Sequence, residues 1–138
     1  MEKTGLEIRS LLIETQTKNI QSSATLNIER KELNPHDLEL IDNFSQENDI
    51  KKIDLLKIDA EGSEMSILEG AKEILQKGVI KLVFVEITDT KSNFKLKKLQ
   101  IKNFLGKYEF YLASSKKIKS VSFLSNLYAE DCLFILSQ

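Results

Sequence analysis

Asp59, Glu61 and Glu86 are the residues whose types and spacing could carry chemistry. Asp59 ends the short apolar run Ile53-Asp54-Leu55-Leu56-Lys57-Ile58-Asp59, which reads as a buried strand. Ala60-Glu61-Gly62-Ser63 turns the chain, and Glu86 stands near the end of the next apolar run, residues 79–87. In an open α/β sheet, ligands sit beyond the carboxyl ends of the strands. If these two strands are neighbours, three carboxylates converge on one rim. Their repulsion, with partial burial, raises the pKa of at least one of them. A carboxylate tuned this way can act as a general base on a hydroxyl, or help bind a metal or a substrate hydroxyl. There is a plainer reading: Asp59 and Glu61 cap the following helix, where negative charge is favoured, and Glu64 does the same one turn in. Gly62 then serves as a turn residue with positive φ.

The elements that would position these residues follow from periodicity. Residues 6–13 are apolar enough for a short helix or a strand, residues 16–23 are polar and read as a loop, and residues 24–30 read as a strand with Leu26 and Ile28 on one face. Asn34, Pro35 and Asp37 make a helix start, with His36 in its first turn as a surface residue. Leu38, Ile41 and Phe44 continue that helix. After Gly62 a helix carries Met65, Leu68, Ala71 and Leu75 on one stripe, with Ile67 and Ile74 at its shoulder, and Gly78 ends it. Residues 79–87 are nearly continuously apolar, as in a strand covered on both faces. A helix over residues 92–105 places Phe94, Leu96, Leu99 and Phe104 as its apolar positions. Strands at 108–113 and 131–136 flank a basic, serine-rich loop and should pair antiparallel. Strands alternating with helices imply right-handed crossovers and a largely parallel sheet.

Composition removes several function classes. Twenty basic and 21 acidic side chains in 138 residues leave a net charge of −1. That balance gives no electrostatic footprint for nucleic acid or an anionic membrane. The lysines at 95, 97, 98 and 102, and at 116, 117 and 119, read as solvated faces. The single Cys132 lies in an apolar run and reads as a buried, inert thiol. His36 has no cysteine or second histidine nearby, so no metal site is expected. No apolar run reaches the roughly 20 residues that span a bilayer, and a cytoplasmic location is the default.

One segment has a family signature. Lys57-Ile58-Asp59-Ala60-Glu61-Gly62-Ser63-Glu64, followed by Leu68-Glu69-Gly70-Ala71, closely resembles the pattern of FkbM-family methyltransferases. There a strand ends in Lys-Ile-Asp-x-Glu-Gly-x-Glu and a helix then carries Leu-x-Gly-Ala. Val83-Phe84-Val85-Glu86 matches the apolar strand ending in an acid that follows. The resemblance extends more loosely from residue 24 to the C-terminus. It implies part of a Rossmann-like class I methyltransferase fold: a mostly parallel sheet with helices on its faces and an antiparallel C-terminal strand. Residues 24–138 would be the C-terminal part of that domain, and residues 1–23 a segment of uncertain role. The resemblance further implies methyl transfer from S-adenosylmethionine to an oxygen of a small-molecule or sugar acceptor. Asp59, Glu61 and Glu86 would form the active rim, with Asp59 also contacting the donor.

The sequence departs from that pattern in two respects, lacking both the donor loop and the acidic residue that ends the class's second strand and holds the ribose hydroxyls. The class holds its donor with a glycine-rich loop after the first strand, and the five glycines here, at 5, 62, 70, 78 and 106, form no Gly-x-Gly pair. Activity of the chain alone is therefore in question. One half of a split enzyme, or a non-catalytic interaction module, are the alternatives. With the first strand missing, the apolar edge of residues 55–59 is an aggregation hazard. Residues 26–30 or residues 6–13 are expected to pair along it, or else a second copy or a partner chain does.

Overall fold

The computed structural model describes residues 6–8, 10–17, 20–26, 31–33, 40–59, 62–118 and 126–137, with side chains from Ile41 onward. The elements are β1 (Leu6–Ile8), β2 (Ser10–Thr17), β3 (Ile20–Leu26), β4 (Lys31–Leu33), α1 (Leu40–Glu47), β5 (Ile53–Asp59), α2 (Glu64–Glu69), α3 (Lys72–Gln76), β6 (Ile80–Thr90), α4 (Phe94–Gly106), β7 (Phe110–Lys117) and β8 (Leu127–Leu136). A six-stranded sheet runs β3-β2-β5-β6-β8-β7, and β1 pairs with β4 separately. The helix start at Asn34, Pro35 and Asp37, with His36, lies outside the described residues, as do residues 27–30 of the expected strand.

The α/β class holds, and the mostly parallel sheet does not. Of the neighbouring pairs in the six-stranded sheet, only β5–β6 is parallel. β2 pairs antiparallel with both β3 and β5, and β8 pairs antiparallel with both β6 and β7. The final pair is antiparallel as expected, but β8 inserts between β6 and β7. The stretch read as a polar loop instead lies largely in the β2–β3 hairpin. Ladder hydrogen bonds use only the backbone, so side-chain polarity does not prevent that pairing.

The apolar edge of β5 is covered by the N-terminal segment. Ser10 to Glu14 of β2 pair with Asp59 to Leu55 of β5, so part of the 6–13 segment covers that edge. The direction is antiparallel, because β2 turns straight back into β3 instead of crossing over through a helix.

Burial along β6 alternates. Val83, Val85 and Ile87 are fully buried, whereas Leu82, Phe84, Glu86 and Thr88 are half-buried. The expectation of a strand covered on both faces is thus corrected. The odd positions pack in one core with Leu56 and Ile58 of β5, Cys132 and Phe134 of β8, and the helix residues Leu68, Leu75, Ile101 and Leu105.

The helix expected after Gly62 divides at Gly70-Ala71 into α2 and α3. The cause lies in α1. The Asp42 carboxylate accepts hydrogen bonds from the Glu73 and Ile74 backbone N–H groups, at 3.1 and 3.0 Å, and so caps α3 from a neighbouring helix. The Asp42 N–H donates to the Gly70 carbonyl at 3.1 Å. The apolar stripe survives the break, since Leu68, Ala71 and Leu75 remain buried with Ile67 and Ile74.

In α4 the buried positions are Phe94, Lys97, Ile101, Phe104 and Leu105, whereas Leu96 and Leu99 are 60% and 51% exposed. The helix turns a lysine inward in place of those two leucines. What Lys97 meets there shapes the candidate site.

Candidate functional site

β5 and β6 are neighbours, and their register sets Asp59 directly beside Glu86. Register partners share a face of the sheet, with backbones roughly 5 Å apart. The same row continues to Asp131 on β8 and to Lys116 on β7. Three carboxylates therefore stand in line across three adjacent strands, on the half-buried face opposite the Val85 core. Asp59 ends its strand as expected, but β6 continues to Thr90, so Glu86 sits inside its strand and not at the tip. Glu61 lies outside the described residues. Asp131 was missed from the sequence because no local pattern reveals which residues become lateral neighbours.

Asp59 has a further property. Its Oδ1 atom is buried and has no hydrogen-bond partner among the described residues. A buried carboxylate oxygen without a donor is unfavourable until something supplies one. A ligand hydroxyl would do so. The row does not amount to a metal cage: among the described residues, no three His, Cys, Asp or Glu side chains are grouped to hold a metal ion.

Behind the rim lies a buried ion pair. Glu64, the first residue of α2, is fully buried, and its carboxylate accepts from the Gly62 N–H and, at 2.8 Å, from the Thr88 N–H. Lys97 of α4 brings its ammonium to 3.2 Å from Glu64 Oε1. It also donates to the Gly62 and Thr88 carbonyls, each at 2.9 Å. The ammonium has three protons, and three acceptors surround it. The turn after β5, the end of β6 and the first turns of α4 are thereby tied at one point. Glu64 does more than act on its own helix end, and Lys97 is no part of a solvated face.

Gly62 carries the turn, at φ +107°. A Cβ there would meet nothing within 4 Å, so the barrier to a side chain is conformational, not steric crowding. Gly62→Ala is expected to lower stability by about 1–3 kcal/mol, read as a shift of the urea midpoint at unchanged slope. An unmoved midpoint would show that the turn does not need its positive φ.

Cys132 is fully buried, and burial pushes its thiol up to about 11, in keeping with an inert side chain. No helix among the described residues is long and apolar enough to cross a membrane.

The fold and the rim together define an α/β domain with an acidic row at one end of its central strands. The chain belongs to the FkbM methyltransferase family: the family model described as the methyltransferase FkbM domain matches residues 7–125. That match begins well before residue 24 and so takes in β2 and β3. Comparison with curated proteins and with solved structures gives no match. Membership suggests use of S-adenosylmethionine in general.

The described residues do not form a cradle for that donor. The place beside β5, where a glycine-rich strand would run parallel, is held by β2 running the other way. Thr17, the last residue of β2, therefore lies at the far end of the sheet from Asp59, and the chain has no Gly-x-Gly pair to approach a ligand closely.

Proposed function

We propose that this chain carries the acceptor side of an S-adenosylmethionine-dependent O-methyltransferase site, in a partial Rossmann-like domain, and that the donor side is contributed by residues outside these 138. The acceptor would be a small molecule or a sugar bearing a hydroxyl. The observation that carries this reading is the buried Oδ1 of Asp59 at the carboxyl end of β5, unpartnered among the described residues, with Asp59 in register with Glu86. An acceptor hydroxyl would donate to Asp59 and pass it the proton as the oxygen becomes nucleophilic. Glu86 beside it, and Glu61 two residues further along the sequence, would add negative charge at the rim. The Glu64–Lys97 pair would hold the turn in place, which matters because misplacement by about 1 Å can cost about a hundredfold in rate.

The competing reading, a non-catalytic module that binds a partner strand along β5, is weakened because β2 already pairs there. Calorimetric titration of S-adenosylmethionine into the full chain tests the half-site. No saturable heat up to millimolar donor is expected. Saturable binding that Asp59→Ala abolishes would overturn it, and would mean that the chain builds a donor pocket of its own.

A further inference from the structure

A cavity of about 340 Å³ opens at the same end of the sheet, on the face covered by α4. Small-molecule sites typically measure roughly 300–1,000 Å³. Its lining is Lys91, Phe94, Lys95, Lys98, Tyr128 and Glu130. None of these belongs to the carboxylate row. Glu130 and Asp131 are consecutive on β8, and strand alternation sends them to opposite faces. Glu130 faces α4, as Cys132 and Phe134 do, while Asp131 joins the row.

The cavity has an apolar wall and a charged rim. Phe94 and Tyr128 meet edge to face, with ring centroids 4.5 Å apart. The Tyr128 hydroxyl donates to Glu130 Oε2 at 2.8 Å, and Lys98 donates to Glu130 Oε1 at 2.7 Å. Desolvation alone would raise the Glu130 carboxyl, but the hydrogen bonds from Lys98 and Tyr128 and the lysine's charge outweigh it, and the net shift is downward. The hydrogen bond to Glu130 raises the Tyr128 phenol in turn. Glu130 is thus an anion that already has its cation in Lys98.

Lys91 and Lys95 are different. Both are exposed, and neither has a carboxylate partner among the described residues. Lys91 is anchored through its backbone, whose N–H donates to the Asn126 carbonyl at 2.9 Å. With Lys98 balanced by Glu130, the lining keeps the charge of these two ammonium groups beside an aromatic wall. Lysine serves well as a point charge for phosphate, and ring-bearing ligands suit apolar, aromatic walls with few polar groups.

We infer that this cavity binds a small ring-bearing anion, its phosphate or carboxylate held by Lys91 and Lys95 and its ring laid against Phe94 and Tyr128. This ligand is distinct from the acceptor of the methyl-transfer reading, whose hydroxyl would meet Asp59 on the opposite face of the sheet.

The test uses the full chain without any methyl donor, so the outcome does not depend on donor binding. Glucose 1-phosphate, glucuronate and glucose are titrated separately by calorimetry at low salt. Saturable binding of glucose 1-phosphate above glucuronate, with glucose silent, is expected and identifies phosphate. Glucuronate binding as well as glucose 1-phosphate supports the same site with a carboxylate as the charged group. The double variant Lys91→Ala/Lys95→Ala should weaken binding about tenfold or more. Lys102→Ala, which removes an exposed lysine of α4 outside the cavity lining, should leave it unchanged. Equal binding of glucose, no saturable binding of either anion, or equal losses in the two variants would overturn the inference. If the anion binds and S-adenosylmethionine also gives saturable heat, the half-site reading falls and the cavity stands. If neither gives saturable heat, the half-site reading stands and the cavity falls.

Discussion

Lys97→Met is expected to destabilise the chain by about 3–5 kcal/mol, the usual result of removing one partner from a buried ion pair. The side chains of Glu64 and Lys97 are 0% and 10% exposed, so the carboxylate left behind would have no cation and little water. The Thr88 and Gly62 carbonyls would lose their donor at the same time. Against a typical stability of about 5–15 kcal/mol, that loss is large. Urea unfolding followed by circular dichroism reads it directly. The double variant Glu64→Gln/Lys97→Met should recover part of the loss, because no charge then remains buried, and the cycle isolates the coupling between the two. A Lys97→Met chain within about 0.5 kcal/mol of the parent, the range of ordinary surface substitutions, would mean that water reaches the pair. The variant should also loosen the turn that follows Asp59, since Lys97 holds the Gly62 carbonyl.

What the sequence revealed and what it hid divide along physical lines. The Asp59–Glu86 neighbourhood was legible because a parallel β5–β6 pair follows from a strand–helix–strand order, and both acids stand near the carboxyl ends of apolar runs. Gly62 and Gly78 were legible because a glycine just past an apolar run commonly takes positive φ, and both do, at +107° and +69°. Lys97 was hidden by its type. Among Lys95, Lys98 and Lys102 it looks like one more surface charge, and only its place in the stripe with Phe94, Ile101 and Phe104 marks it as inward. Helical periodicity alone favoured Leu96 and Leu99, which the fold leaves exposed. Asp131 and Lys116 entered the acidic row through β8 inserting beside β6, a long-range event with no local signature. The break between α2 and α3 depends on Asp42, which caps a helix 31 residues away.

Leu12→Pro is expected to drive the chain into larger species than the parent forms. Leu12 sits in the middle of β2, opposite Thr25 on one side and Lys57 on the other. A strand paired on both sides has all its N–H groups in a ladder, and proline has none to give. Leaving the facing carbonyl without a donor costs about 1–3 kcal/mol, but the larger consequence lies in β5. Once β2 detaches, the Leu55–Asp59 stretch becomes an apolar edge able to template other chains. Sedimentation velocity should show soluble oligomers or precipitate in Leu12→Pro. Leu6→Pro is the matched control, since β1 pairs only with β4, outside the six-stranded sheet, and it should remain as the parent does. If Leu12→Pro sediments as the parent does with an unchanged midpoint, β2 is not what protects that edge. If it aggregates as expected, then on the half-site reading a donor-bearing strand has to displace β2 before it can pair with β5, because one edge of a strand holds one partner at a time.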